Sequence, residues 1–143
     1  MAAPALPAQS RAQNAFHWLL GLLLLFTGHG HLTWARGMFQ SQVPSWVPMS
    51  PDRVVILSGI VELCLGAALL VLRRQRVAVG WAAAAFFAAI FPGNVAQYRN
   101  RIDAFGLNSD SRRLARLFLH PLLVAWPLWA TGAWQARPWR RDA

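Results

Sequence analysis

Apolar residues gather into four long stretches that are separated by short polar segments. The stretches cover residues 15–35, 54–72, 77–97 and 114–134. Because an α-helix rises 1.5 Å per residue, roughly 20 residues are enough to cross the hydrocarbon of a bilayer. Each stretch comes close to this length. The pattern predicts an all-α integral membrane protein, a four-transmembrane-helix antiparallel bundle.

The remaining residues predict one domain with two tails. Residues 1–14, rich in Ala, Pro and Gln, are typical of a disordered tail, residues 15–135 form the transmembrane domain, and residues 136–143 form a basic C-terminal tail. An alternative interpretation takes Arg11 and the leucine run after it as a signal peptide. The length of the apolar stretch and the bulk of Trp34 in the poor cleavage site Thr33-Trp34-Ala35 favour a retained helix.

The segments between the stretches carry turn and capping signals. Three prolines between residues 39 and 53 forbid regular helix, and the apolar residues among them predict a lid in the membrane interface. Ser50-Pro51-Asp52 predicts the start of the second helix. A tight turn at residues 73–76 predicts that the second and third helices are antiparallel neighbours. Gly106 and Asp110 are expected to stop the third helix and cap the fourth.

The net charge of +9 comes entirely from arginine, since all 14 basic residues are Arg. Most of them flank the apolar stretches, which indicates contact with lipid headgroups rather than nucleic acid. The dense cluster Arg73, Arg74 and Arg76 favours a cytoplasmic location for both termini. The single cysteine, Cys64, excludes an internal disulfide.

Polar residues inside the stretches fall at about one depth. Glu62 lies near the middle of the second stretch, where an ionised carboxylate costs roughly 2.5 kcal/mol or more. His31, Asn94 and His120 lie on the order of 6 to 10 Å from the midplane on the lid side. We therefore expect a polar pocket whose candidate ligand-binding residues are His31, Ser58, Glu62, Asn94, Gln97, Tyr98 and His120.

Four of these candidates have a structural alternative. Glu62 can be protonated and hydrogen-bonded to Ser58 or a carbonyl, and His31 can be a headgroup-facing residue. His120 can cap carbonyls freed by Pro121, and Asn94 can join two helices. A metal or haem held by His29, His31, His120 and Glu62 is not expected, because no histidine pair at i, i+4 supports it. His17 lies near the cytoplasmic end and is expected to have no functional role.

Several motifs occur in an order that resembles the DoxX family. They are Gly28 and His31, then Val43-Pro44-Ser45-Trp46-Val47-Pro48, then Ser58-Gly59, Glu62-Leu63 and Gly66, and finally Phe91-Pro92 with Asn94. The resemblance covers about residues 15–135. It implies a four-helix bundle in the bacterial inner membrane and an association with oxidoreductases, as in membrane subunits of thiosulfate:quinone oxidoreductase. It transfers no catalytic residue.

Three functions are compatible with these residues. The first is a non-catalytic membrane subunit or binding module that holds a small lipophile, such as a quinone, and docks a soluble oxidoreductase. The second is an intramembrane enzyme that acts on a lipophilic substrate by Glu62 and His acid–base chemistry. The third is a small proton-coupled transporter, which needs a homo-oligomer because four helices rarely enclose a pathway. The first interpretation fits best the absence of catalytic motifs from the sequence.

Overall fold

The computed structural model describes residues 6–136, and all regular structure in that range is helical. The elements are α1 (Arg11–Leu32), α2 (Arg36–Gln40), α3 (Pro51–Val71), α4 (Arg76–Arg99) and α5 (Asp110–Ala130), with a 3₁₀ turn (Arg73–Gln75) between α3 and α4. The all-α prediction is confirmed for this range. Apart from residue 136, the predicted C-terminal tail lies outside the described residues.

The first helix begins four residues before the predicted boundary. The Ser10 side chain accepts a hydrogen bond from the Gln13 backbone, and the Gln13 side chain accepts one from the Ser10 backbone. This reciprocal pair is a capping box, which fixes the first turn. Residues 11–14 are therefore helical, so assigning them to a disordered tail was wrong. The buried Gln13 also donates to the Trp129 carbonyl at 2.8 Å, which attaches this turn to the end of α5.

The starts of α3 and α5 each depend on a serine. Ser50 caps α3, with Pro51 in the first turn and Asp52 on the positive end of the helix, as predicted. In α5 the cap is Ser109, whose hydroxyl accepts from the Arg112 backbone at 3.3 Å, so the prediction of Asp110 as the cap was wrong by one residue. Asp110 is instead the first helical residue.

Gly106 does not stop α4. The helix ends at Arg99, and Gly106 lies in the connection to α5 with a φ of +71°, a conformation that glycine adopts at little cost.

Among residues 6–136, three helical segments are long and apolar enough to cross a membrane. They are Arg11–Leu32, Pro51–Val71 and Arg73–Arg99. The predicted fourth stretch, residues 114–134, is not among them. Its helix, α5, begins earlier and carries Asp110, Arg112, Arg113 and Arg116 in its first two turns, and it ends at Ala130. The three segments are compatible with a bilayer environment.

The four long helices pack mainly as two pairs, α1 with α3 and α4 with α5, and contacts of α1 with α5 and of α3 with α4 join the pairs. Glycines allow the closest approach. A Cβ atom on Gly28 would lie 2.9 Å from the Gly59 carbonyl oxygen, and one on Gly66 would lie 2.8 Å from the Gly21 carbonyl oxygen. The two glycines of each helix are seven residues apart, so both contacts lie on one face.

The bundle buries a small apolar core and exposes a large apolar surface. Leu20, Leu24, Leu69 and Phe87 form the buried cluster between the helices. Large side chains such as Phe26 and Phe118 are 60% and 75% exposed. Helices that contact lipid expose apolar surface of this kind. The exposed side chains therefore agree with the three segments that are long and apolar enough to cross a membrane.

Candidate functional site

A cavity of about 430 Å³ lies between the helices at the side of the loop that follows α2. This volume is in the range of small-molecule sites. Every α-helix contributes to the wall, and the loop closes it with Gln42, Val43, Pro44, Trp46 and Val47. Most wall residues are apolar. The polar wall residues are Thr27, His31, Gln42, Ser58, Glu62, Asn94 and Arg116. The site is therefore a mostly apolar cavity with polar groups on part of its wall.

Glu62 and His31 meet inside this cavity. The Glu62 Oε2 atom lies 3.0 Å from Nδ1 of His31, and the side chains are only 5% and 9% exposed. The same Nδ1 lies 3.0 Å from the Thr27 carbonyl oxygen. Because a carbonyl oxygen only accepts, this nitrogen carries a proton and donates it to Thr27.

The close approach does not satisfy the carboxylate. Within residues 6–136, Oε2 of Glu62 has no hydrogen-bond partner with acceptable geometry, although the atom is fully buried. A buried polar atom without a partner costs free energy, and such atoms are rare in folded proteins. Glu62, the only glutamate of the chain, therefore offers an unused acceptor to the cavity.

An aromatic ring covers His31. The Phe39 ring stacks on the imidazole with centroids 3.5 Å apart and an interplanar angle of 14°. Phe39 belongs to α2, which a double hydrogen bond from Arg36 to Asp52 holds against the start of α3, at 2.7 and 2.6 Å. Gln40 adds a third bond to the same carboxylate at 2.6 Å. These contacts fix the cover, and the Asp52 hydrogen bond raises the pKa of Arg36.

Asn94 is oriented by a histidine outside the cavity. The His120 Nε2 atom lies 2.7 Å from the Phe87 carbonyl oxygen, so this nitrogen carries the proton. The other ring nitrogen then accepts from Asn94 Nδ2 at 2.7 Å. This arrangement directs the amide nitrogen toward His120 and leaves Oδ1 as the acceptor that Asn94 offers. His120 is a positioning residue and is not part of this wall.

Gln97 has a similar supporting role. Its Oε1 atom accepts from Gln42 at 3.2 Å and from Arg116 at 2.6 Å, and its amide nitrogen donates to the Ile102 and Ala104 carbonyls at 3.3 Å. Gln97 is buried but does not line the cavity. It joins the loop to α5 and holds in place two residues that do line the wall.

The structure thus separates the seven sequence candidates into three groups. His31, Ser58, Glu62 and Asn94 line one cavity, His120 and Gln97 lie behind its wall, and Tyr98 belongs to neither set. Sequence reasoning missed Gln42, Phe39 and Arg116 as wall residues. Arg116 precedes His120 by one helical turn, so a shared face of α5 was a readable signal.

The remaining titratable residues do not join the site. His29 is exposed at the end of α1. His17, for which no functional role was predicted, is fully buried, and its Nε2 atom lies 2.7 Å from the Leu69 carbonyl oxygen, so its role is structural. Within the part of the chain that the structure describes, no group of three or more His, Cys, Asp or Glu side chains is placed to hold a metal ion.

Comparison with known proteins gives one match. A family model described as a domain of unknown function (DUF8561) matches residues 20–131. No curated protein and no solved structure matches the chain. The matched range includes every polar residue of the cavity wall.

Proposed function

This chain belongs to the DUF8561 family, and we propose that it is an integral membrane protein that binds a small lipophilic molecule. One observation carries the proposal: the buried Glu62 carboxyl has an unpartnered oxygen at the wall of a cavity that is otherwise mostly apolar. A bound hydroxyl would donate to that oxygen and remove its desolvation cost. The apolar wall would hold the body of the ligand.

The proposed arrangement in the membrane is a four-helix antiparallel bundle in the bacterial inner membrane with both termini in the cytoplasm. α5 spans with the others, and its arginines reach headgroup depth along their apolar stems. The cavity then lies near the outer face. Cysteine labelling in a Cys64→Ser background tests this topology. An impermeant maleimide applied to whole cells should label Ser45→Cys and not Arg74→Cys, and the reverse pattern would invert the topology.

The polar wall favours a ligand with hydroxyl donors. Glu62 offers Oε2, and Asn94 offers Oδ1 because its Nδ2 atom donates to His120. A quinone carbonyl that accepts from His31 or Asn94 fits less well, because His31 Nδ1 donates to the Thr27 carbonyl and Asn94 Nδ2 donates to His120. A quinol hydroxyl that donates to Glu62 or Asn94 fits better. We take a lipophile with a hydroxyl donor as the ligand class and a short-chain quinol as its test probe, with the hydroxyl near Glu62 and the apolar body along the wall.

Tryptophan fluorescence provides the test, because Trp46 lines the cavity and Trp34 does not. A short-chain ubiquinol is titrated into purified protein in neutral nanodiscs. Wild type and Trp34→Phe should show saturable quenching, while Trp46→Phe should lose most of the saturable part. Glu62→Gln should weaken binding at least tenfold. Quenching that never saturates, or that is identical in all four proteins, would refute the proposal.

The contact between Glu62 and His31 supports a second candidate, an enzyme that acts on a lipophilic substrate. A carboxylate 3.0 Å from an imidazole nitrogen has the proximity that acid–base catalysis needs. In this case Glu62→Gln would abolish turnover of a bound substrate while its affinity stays within twofold. Loss of affinity alone favours the binding module.

The DoxX resemblance extends the first proposal to a membrane subunit that works with a soluble oxidoreductase. Nothing in the cavity supplies redox chemistry of its own among the described residues, since Cys64 is exposed and lies outside the wall. Electron transfer to or from a bound quinol would therefore take place on the partner. Purification of the tagged protein from its native membrane, followed by identification of a co-purified flavin- or thiol-dependent enzyme, tests this extension.

A further inference from the structure

Arg116 is the arginine that lines the cavity, and no carboxylate among residues 6–136 pairs with it. The described residues contain four acidic side chains, and none of them forms an ion pair with Arg116. Asp52 pairs with Arg36, Asp103 and Asp110 pair with Arg113, and Glu62 lies against His31. The Arg116 guanidinium has one hydrogen bond, to Gln97 Oε1 at 2.6 Å, and lies 5.6 Å from the Phe105 ring centroid.

The Arg116 guanidinium has N–H groups that are not used in hydrogen bonds to the described residues. It carries five N–H donors, of which Gln97 takes one, and the side chain is only partly exposed. Removing a guanidinium from water is unfavourable unless an anion or several acceptors replace the water. Arg116 lines the same cavity as Glu62, so the free donors are next to the space that a ligand would occupy.

Arg116 also connects the cavity to the outer surface of α5. It lines a second, open groove along α5 together with Leu119, Leu122 and Trp126. An amphiphile in the membrane would meet this groove first, with its apolar part against the leucines. The Arg116 side chain borders both spaces, so it can hold a charged head while the body moves inward.

We propose that the ligand of the cavity carries an ionised acidic group, a carboxylate on an apolar body, and that Arg116 binds it. This inference deepens the proposed function and rests on it. The polar groups of the wall set the orientation of the ligand. Arg116 binds the carboxylate bidentately, and the unpartnered Glu62 oxygen accepts a hydroxyl. A neutral lipophile would leave the guanidinium unpaired.

Binding of laurate and methyl laurate to the protein in neutral nanodiscs, measured by calorimetry against empty nanodiscs, tests the inference. The two probes share an apolar chain and differ in charge. Wild type should bind laurate at least tenfold more tightly than the ester. Arg116→Gln should abolish this preference, and Arg116→Lys should retain part of it because the charge remains.

Arg112→Gln is the matched control. Arg112 lies one turn earlier on α5, is exposed, and lines the outer groove but not the cavity. Its loss should leave the preference for laurate unchanged. A preference that depends on Arg112 rather than Arg116 would place the acid in the outer groove and overturn the inference.

The outcomes also separate the two proposals. Suppose that quinol binding is saturable but that laurate is not preferred over methyl laurate, or is preferred equally by wild type and Arg116→Gln. This result would refute the proposal of an acidic ligand and leave the proposed lipophile binding intact. Absence of saturable quinol binding together with absence of laurate binding would refute both. The helical circular-dichroism signal and the melting temperature of Arg116→Gln in detergent show whether the variant is folded.

Discussion

Gly59 of α3 lies directly against His31 of α1: a Cβ atom on Gly59 would be 2.7 Å from the Cβ atom of His31. Gly59 is one turn before Glu62 and shares its helix face. The missing side chain lets the two helices approach closely enough for His31 to reach the carboxylate at 3.0 Å. The packing of α1 on α3 and the geometry of the site are therefore one feature.

Substitution of this glycine should damage stability and binding together. Gly59→Ala inserts a methyl group where no space exists, and overpacking of this kind costs typically 1–3 kcal/mol. We expect a lower melting temperature in detergent and weaker quinol binding. Gly37→Ala is the control, because a Cβ atom at Gly37 would meet no atom within 4 Å. Equal melting temperatures of the two variants would show that the helix contact is looser than described.

His17 should contribute to stability and not to binding. Its ring donates to the Leu69 carbonyl in the last turn of α3, where carbonyls lack helical partners. His17→Phe keeps the volume and leaves that carbonyl unsatisfied, at a cost of about 1–3 kcal/mol. The melting temperature should fall while quinol affinity stays within twofold. The same change at the exposed His29 should be within about 0.5 kcal/mol of wild type. A loss of affinity in His17→Phe would contradict this assignment.

The pair Arg36 and Asp52 should control how fast a ligand leaves. It holds α2, and with it Phe39, over the His31 ring. Asp52→Asn removes the charge, yet the side chains are 38% and 47% exposed, so the stability change should stay below about 1 kcal/mol. Stopped-flow fluorescence should show faster quinol release, and Arg53→Gln, an exposed neighbour, should not change it. An unchanged release rate would mean that α2 does not cover the exit.

The helices and the depth of the polar residues could be predicted from the sequence, because both follow from helix geometry. A constant rise converts sequence position into depth, which is how His31, Glu62 and Asn94 could be placed at one level of the bundle before the fold was known. Ser50-Pro51-Asp52 predicted the start of α3 because a cap acts on its own first turn. Ser10 and Gln13 carried the same kind of local signal at α1, where it was overlooked.

Hydrogen-bond partners on different parts of the bundle could not be predicted from the sequence. His17 reaches Leu69 and Gln97 reaches Gln42, contacts between residues more than 50 positions apart in the sequence. Such pairs depend on the rotation of each helix about its axis, which packing sets and depth does not.

Carbodiimide labelling of Glu62 tests the central claim most directly. Dicyclohexylcarbodiimide is an apolar reagent that modifies carboxyl groups in apolar surroundings, and Glu62 is the one acidic residue that lines the cavity among residues 6–136. Peptide mass spectrometry should find the adduct on Glu62, and short-chain ubiquinol should protect it in a saturable manner at the concentrations that quench Trp46. Labelling of Glu62 that no concentration of quinol reduces would contradict the claim that this carboxyl belongs to a ligand site.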